Sequence, residues 1–165
     1  MIVLGKTRAQ RNGGFSFVEL LASVAILALL ATVAVPFVEK NAQREKEREL
    51  RTALRDIRQA LDAYKNASVA GRILVTPEQS GYPPDLLTLV IGVKDEKNPG
   101  GAKLKFIRRV PRDPFSTDTT LAAVDTWGLR SFDSPPEHPA PGIDVFDVYS
   151  KSMVIGINGV PYSEW

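Results

Sequence analysis

Between Phe15 and Val38 the chain is apolar at all but four positions: Ser16, Glu19, Ser23 and Thr32. From Leu20 to Val38 no residue carries a charge. As a helix that stretch is about 28 Å long, close to the thickness of a bilayer's hydrocarbon core. Pro36 lies near its end, where it can kink a helix without abolishing it. Glu19 is the anomaly. A carboxylate at the bilayer centre costs about 2.5–3.5 kcal/mol on insertion scales, and nothing basic lies in the run to neutralise it.

The character reverses after Val38. Residues 39–66 are dense in charge and contain neither Gly nor Pro. Leu50, Leu54, Ile57, Leu61 and Tyr64 are spaced 4, 3, 4, 3, an apolar stripe along one face of a helix. The stripe starts only at Leu50. Glu39–Glu49 is therefore expected to be a solvated helical neck, and Leu50–Asn66 the part that packs on a domain. Glu45 and Glu49 alternate with basic residues able to pair along the helix. Only Pro36 interrupts the pattern, so a single helix from about Phe15 to Asn66 is expected.

Beyond Gly71 the texture is irregular. A short helix is expected at Leu86–Val90. Strands are expected near Leu104–Val110, at Trp127–Asp133, at Ile143–Ser150 and at Met153–Ile157. Pro111 and Pro114 stop the first of these. A helix followed by antiparallel strands makes the fold class α+β. The chain of 165 residues suits one modest folded domain beside the apolar run.

Charge and composition exclude several functions. Lys6, Arg8 and Arg11 give residues 1–14 a charge of +3, whereas the whole chain carries only +2. The basic balance thus belongs to the leader and is no argument for nucleic-acid binding. No cysteine is present, which removes disulfides and thiolate chemistry. No phosphate loop, HExxH or GxSxG pattern occurs, and the reading is not an enzyme. The sole histidine, His138, lies in the loop EHPAPG and reads as a solvated residue. Lys103, Lys105, Arg108, Arg109 and Arg112 form a basic patch that reads as a solvated strand face. Trp127 and Trp165 read as packing anchors.

Three readings of the N-terminus compete. One is a secretory signal peptide cleaved before Val35, with Thr32 and Ala34 at its −3 and −1 positions. Another is a plain signal anchor. The third rests on Gly14-Phe15-Ser16-Phe17-Val18-Glu19, placed after a short basic leader and before the apolar run. This stretch resembles the signal of type IV pilins and type II secretion pseudopilins. The resemblance implies cleavage by prepilin peptidase between Gly14 and Phe15 and N-methylation of Phe15. It also implies that Glu19 meets the terminal amine of a neighbouring subunit during assembly. Methylation leaves that amine charged, and pairing two buried charges relieves a penalty each would bear alone.

The C-terminal half narrows the resemblance. GYPPDLLTLV, RVPRDPF, TWGLRS and DVFDVYS, with a last Trp165, are similar to segments of the G-type major pseudopilins. The implied organisation is a leader at 1–14, a transmembrane and filament-core helix at 15–38, an amphipathic helix at 39–66 and a periplasmic globular domain at 67–165. The implied fold is pilin-like, a long N-terminal helix packed on a small antiparallel sheet. The basic residues flanking the apolar run on both sides leave the charge rule equivocal. The resemblance places the leader in the cytoplasm and the C-terminal domain in the periplasm. The implied partners are copies of the chain itself, minor pseudopilins, prepilin peptidase and the inner-membrane secretion platform. The implied role is that of a structural subunit of a pseudopilus that helps folded proteins cross the outer membrane. A type IV pilus subunit is the alternative.

One departure concerns metal. G-type subunits bind calcium in the C-terminal loop, which takes several oxygen ligands close together. Here SKSMVIGINGVPYSEW holds one acid, Glu164, with Asp144 and Asp147 preceding it. The expectation is no cofactor, with calcium left open and the pair read as strand-edge acids.

Overall fold

The computed structural model describes residues 14–165 and, within them, all side chains but those of 33–37. The expected leader, apart from Gly14, lies outside the described residues. Helix α1 spans Phe17–Val69, three residues beyond the expected end. The chain divides into two compact units between Ala42 and Gln43. In the first, the side chains from Phe15 to Leu30 are exposed. Among the described residues no helix is long and apolar enough to cross a membrane.

The second unit is built on the other part of α1. Leu50, Leu54, Ile57, Leu61 and Tyr64 are all buried, joined by Ala53 and Ala60. They share one core with Leu86 and Leu89 of a short helix α2 (Leu86–Ile91), and with Val110, Trp127, Val145, Val148 and Tyr162. Asp85 caps α2 by accepting from the Thr88 N–H at 2.7 Å. Gly92 ends it at φ 79°, and a Cβ there would lie 2.6 Å from the Leu104 carbonyl oxygen. Only glycine permits that turn together with that approach.

Among the described residues the sheet has two strands, β1 (Trp127–Arg130) and β2 (Asp147–Ser150), antiparallel, with Trp127 opposite Ser150 and Arg130 opposite Asp147. Gly128 faces Tyr149, whose ring occupies the space a Cβ would take. The α+β class and the pilin-like plan hold, but the strands are shorter and fewer than expected. At 104–110 only Leu104 forms a bridge, to Val93. The N–H groups of Phe106 and Ile107 both donate to the Leu89 carbonyl at the end of α2, so this segment seats a helix instead of extending a sheet. β1 stops at Arg130 because Ser131 N–H turns to Ala140 and Phe132 N–H to the Asp144 carboxylate. At 153–157 a single bridge, Ile155 to Pro161, survives, because Ile157 N–H is taken by a side chain of α1.

With so little ladder, buried acids tie the loops. Asp95 holds Arg72 at 2.5 Å and the Lys97 N–H at 3.1 Å. Asp113 accepts from the Phe115 N–H at 2.8 Å and from Ser150 at 2.6 Å. Asp144 accepts from Ser131 at 2.8 Å, from the Phe132 N–H at 2.9 Å and from Ser80. Burial alone would raise the Asp144 carboxyl. The bonds from Ser80, Phe132 and Ser131, with Lys65 nearby, outweigh it and hold the group below the ordinary carboxylate range. A depressed folded pKa contributes stability that is complete above the unfolded value, about 3.9, and is lost as pH falls through the folded one. Stability of the folded unit therefore drops with acid below about pH 4. In Asp144→Asn that drop is shallower, as urea midpoints taken across the acid range will read out.

Candidate assembly site

Gly14 and Phe15 lie just before α1, and among the described residues nothing comes within 4 Å of the position of a Cβ on Gly14. The Ser16 carbonyl accepts the Leu20 N–H at 3.0 Å, which starts the helical ladder. Glu19 falls in the first turn, where a negative charge is favoured by the helix's partial positive end. It is exposed, and among the described residues it forms no ion pair. Gly14, Phe15 and Glu19 thus lie close in sequence, all exposed among the described residues.

The second unit brings together a different set. Glu47 is only 4% exposed. Its carboxylate accepts the Ile157 N–H at 2.7 Å and the Tyr162 hydroxyl at 3.0 Å, and Gln43 donates to the same hydroxyl at 2.9 Å. Tyr162 is fully buried, stacked on Phe115 with ring centroids 3.9 Å apart and edge-on to Trp165 at 5.0 Å. Arg51 lies over the Trp165 ring at 4.3 Å. Arg58 binds Asp147 at 2.7 Å and the Trp165 carbonyl at 2.9 Å. The last fifteen residues are therefore clasped to α1 from Gln43 to Arg58.

The expected solvated neck is wrong at this point. Continuing the 4, 3 stripe backward from Leu50 lands on Glu47 and then Gln43. Both are polar, so hydrophobicity did not mark them; the spacing did. The other singled-out residues are placed more simply. His138 is exposed in its loop. Arg112 is occupied by the carbonyls of Leu121 and Asp118, while Lys103, Lys105, Arg108 and Arg109 are exposed. Trp127 is buried and donates its indole N–H to Pro111 at 2.8 Å.

The residues weighed for calcium do not converge. Asp144 is engaged by Ser80, Ser131 and Phe132, Asp147 by Arg58, and Glu164 is exposed. Among the described residues no three acids, histidines or cysteines lie close enough to share an ion. Such a donor set does not fit a cation that takes six to eight oxygens.

Residues 9–35 match the family model of the prokaryotic N-terminal methylation motif. Three relatives named "Type II secretion system core protein G" extend the likeness beyond it. The protein from Klebsiella michiganensis is 25% identical over 83% of this chain and 92% of its own. That of Klebsiella pneumoniae is 28% identical over 93% and 91%, and that of Vibrio cholerae 26% over 67% and 70%. Over most of its length the chain is thus similar to G-type major pseudopilins. No solved structure matches it. The relatives favour this reading over a pilus subunit.

In this chain the Glu47 clasp does a job that the sheet is too small to do. Glu47→Ala strips two donors of a charged acceptor, and a bond to a charged group is worth about 1.5–3 kcal/mol. We expect it to destabilise the folded unit by about 2–4 kcal/mol in urea denaturation followed by circular dichroism. Tyr162→Phe keeps the Ile157 bond and should cost about 1 kcal/mol. Equal, negligible effects from both would show the clasp to be incidental.

Proposed function

We propose that the chain is a major pseudopilin, made as an inner-membrane precursor with the leader 1–14 in the cytoplasm and the folded unit in the periplasm. Prepilin peptidase cuts between Gly14 and Phe15, and the new amine on Phe15 is methylated. The apolar segment 15–38 anchors the subunit in the bilayer until polymerisation moves it into the filament core. The partners are further copies of the chain, minor pseudopilins and the inner-membrane secretion platform. The filament is the pseudopilus of a type II secretion system, serving export of folded proteins across the outer membrane. The role is one of binding and assembly, and we assign no catalysis to it.

The match of residues 9–35 to the methylation motif carries this reading. The open placement of Gly14 and Phe15 ahead of α1 supports it. Glu19 has a task in it. Removing 1–14 creates a cation four residues away in its own chain, and another in every neighbour. Among packed helices of low dielectric, a carboxylate and an amine of two subunits fix axial register more than they add stability.

N-terminal sequencing of the mature protein tests the processing. It should begin at methylated Phe15, and a start at Val35 would sink the proposal. Glu19→Ala should still begin at Phe15 yet fail to form filaments in electron micrographs. Normal filaments from that variant would refute the pairing.

We further propose that the folded unit needs no calcium, its C-terminal segment being held by Glu47 and Arg58 instead. Millimolar calcium should then leave the melting temperature unchanged, and calorimetry should record no binding heat.

A further inference from the structure

Tyr64 of α1, the loop 74–84 and residues 143–144 line a cavity of about 180 Å³ within the folded unit. Small-molecule pockets run from about 300 to 1,000 Å³, so the guest that fits this one is a single side chain. Leu74 and Ile143 belong to the lining while 82% and 70% exposed, which puts them at the mouth. Val75 and Pro84 add apolar wall. A methylene stem suits such a lining.

Two polar groups of the lining have bonding capacity to spare. Tyr64 is only 6% exposed, and among the described residues its hydroxyl forms no hydrogen bond. Among those residues Arg130 Nε is the one side-chain polar atom both sealed and unpartnered. The Tyr64 hydroxyl is therefore open to accessible space, and the cavity is the space that Tyr64 lines. Asp144, also buried, is the second group. Ser131 and the Phe132 N–H occupy its Oδ1 and Ser80 its Oδ2. A carboxylate has about four acceptor positions, so one remains, on Oδ2. The group stays ionised at neutral pH. Burial raises the hydroxyls of Tyr64 and Tyr82, and carboxylates raise them further, Asp85 for the first and Asp62 with Asp144 for the second. Lys65, which donates to the Ser80 carbonyl, offsets one of these negative charges.

We propose that this cavity is a socket for the side chain of a lysine carried by another protein chain. The stem lies against Leu74, Val75, Pro84 and Ile143, and the ammonium donates to Asp144 Oδ2 and to the Tyr64 hydroxyl oxygen. Arginine fits less well. Its planar fork is matched to both oxygens of a carboxylate, and Oδ1 of Asp144 is already filled. An ammonium is a compact point charge that one acceptor position can serve. The socket belongs to the folded unit and is independent of the membrane anchoring proposed above.

The test uses the full chain in nonionic detergent, titrated with Nα-acetyl-lysine methylamide and followed by nuclear magnetic resonance. The amide signals of Ser80, Gly81 and Asp144 should shift and saturate. The norleucine analogue, which keeps the stem and lacks the ammonium, should leave them in place. Tyr64→Phe keeps the ring in the core and removes only the unbonded hydroxyl, so the fold is preserved. It should weaken the lysine compound by about tenfold, the loss of one bond to a charged group. Equal shifts from the norleucine analogue overturn the recognition of charge, and no saturable shift from either compound overturns the socket. Unchanged affinity in Tyr64→Phe places the amine elsewhere and overturns it as well. Where the lysine compound binds as expected, raising the concentration of the chain without it tells the source of the lysine. Shifts at the same three residues then name a second copy, and their absence names a different protein.

Discussion

The folded unit depends on one stripe of α1. From Leu50 to Tyr64 each fourth or third residue is buried, and every other segment of the unit is placed by what it sets against that stripe. Phe106 reaches Tyr64, with ring centroids 5.2 Å apart, from a segment hung on α2. Trp127 and Val148 cover the stripe from the two strands. Tyr162 closes it at the other end. A strand pair of four residues each has little cohesion of its own, so removing the helix face would leave the remaining segments without a common core.

Packing alone does not orient irregular chain, because apolar contact is non-directional. Direction comes from acids. Glu47, Asp95, Asp113 and Asp144 are buried, and each gathers donors from chain segments that no ladder joins. A carboxylate accepts several hydrogen bonds at once, which lets one side chain stand where several rungs of a sheet would otherwise be needed. Burying it is costly unless those bonds are made. The arrangement is therefore cooperative: the loops satisfy the acids, and the acids fix the loops.

The sequence shows the helix well and the sheet poorly, for one reason. Helical burial leaves a repeating mark, and the 4, 3 spacing from Leu50 to Tyr64 is legible without any partner. Strand pairing depends on where each N–H goes. Ser131, Phe132 and Ile157 look like strand residues, yet their N–H groups are claimed by Ala140, Asp144 and Glu47, and no local pattern announces that. Gln43 and Glu47 form the instructive intermediate. They occupy stripe positions, but their polarity disguises them, because hydrophobicity alone defined the stripe. A polar residue in register with a buried face is a candidate for a buried hydrogen bond; Glu47 makes one, and the half-buried Gln43 bonds to the same hydroxyl.

The same reasoning separates the two carboxylates of α1. Glu47 has its donors within the folded unit, so its burial is explained by one chain. Glu19 is exposed, with no ion pair among the described residues, and it opens a run whose apolar side chains are also uncovered. An apolar segment that stays uncovered in the single chain must be covered by lipid or by its like. A lone carboxylate at its edge bears on the choice, because lipid tails offer it nothing, while an identical neighbour processed as proposed, after Gly14, would offer an amine. One acid thus completes a monomer, and the other makes the monomer incomplete. In the proposed function, that incompleteness is what would give the apolar run a reason to leave the bilayer for a filament.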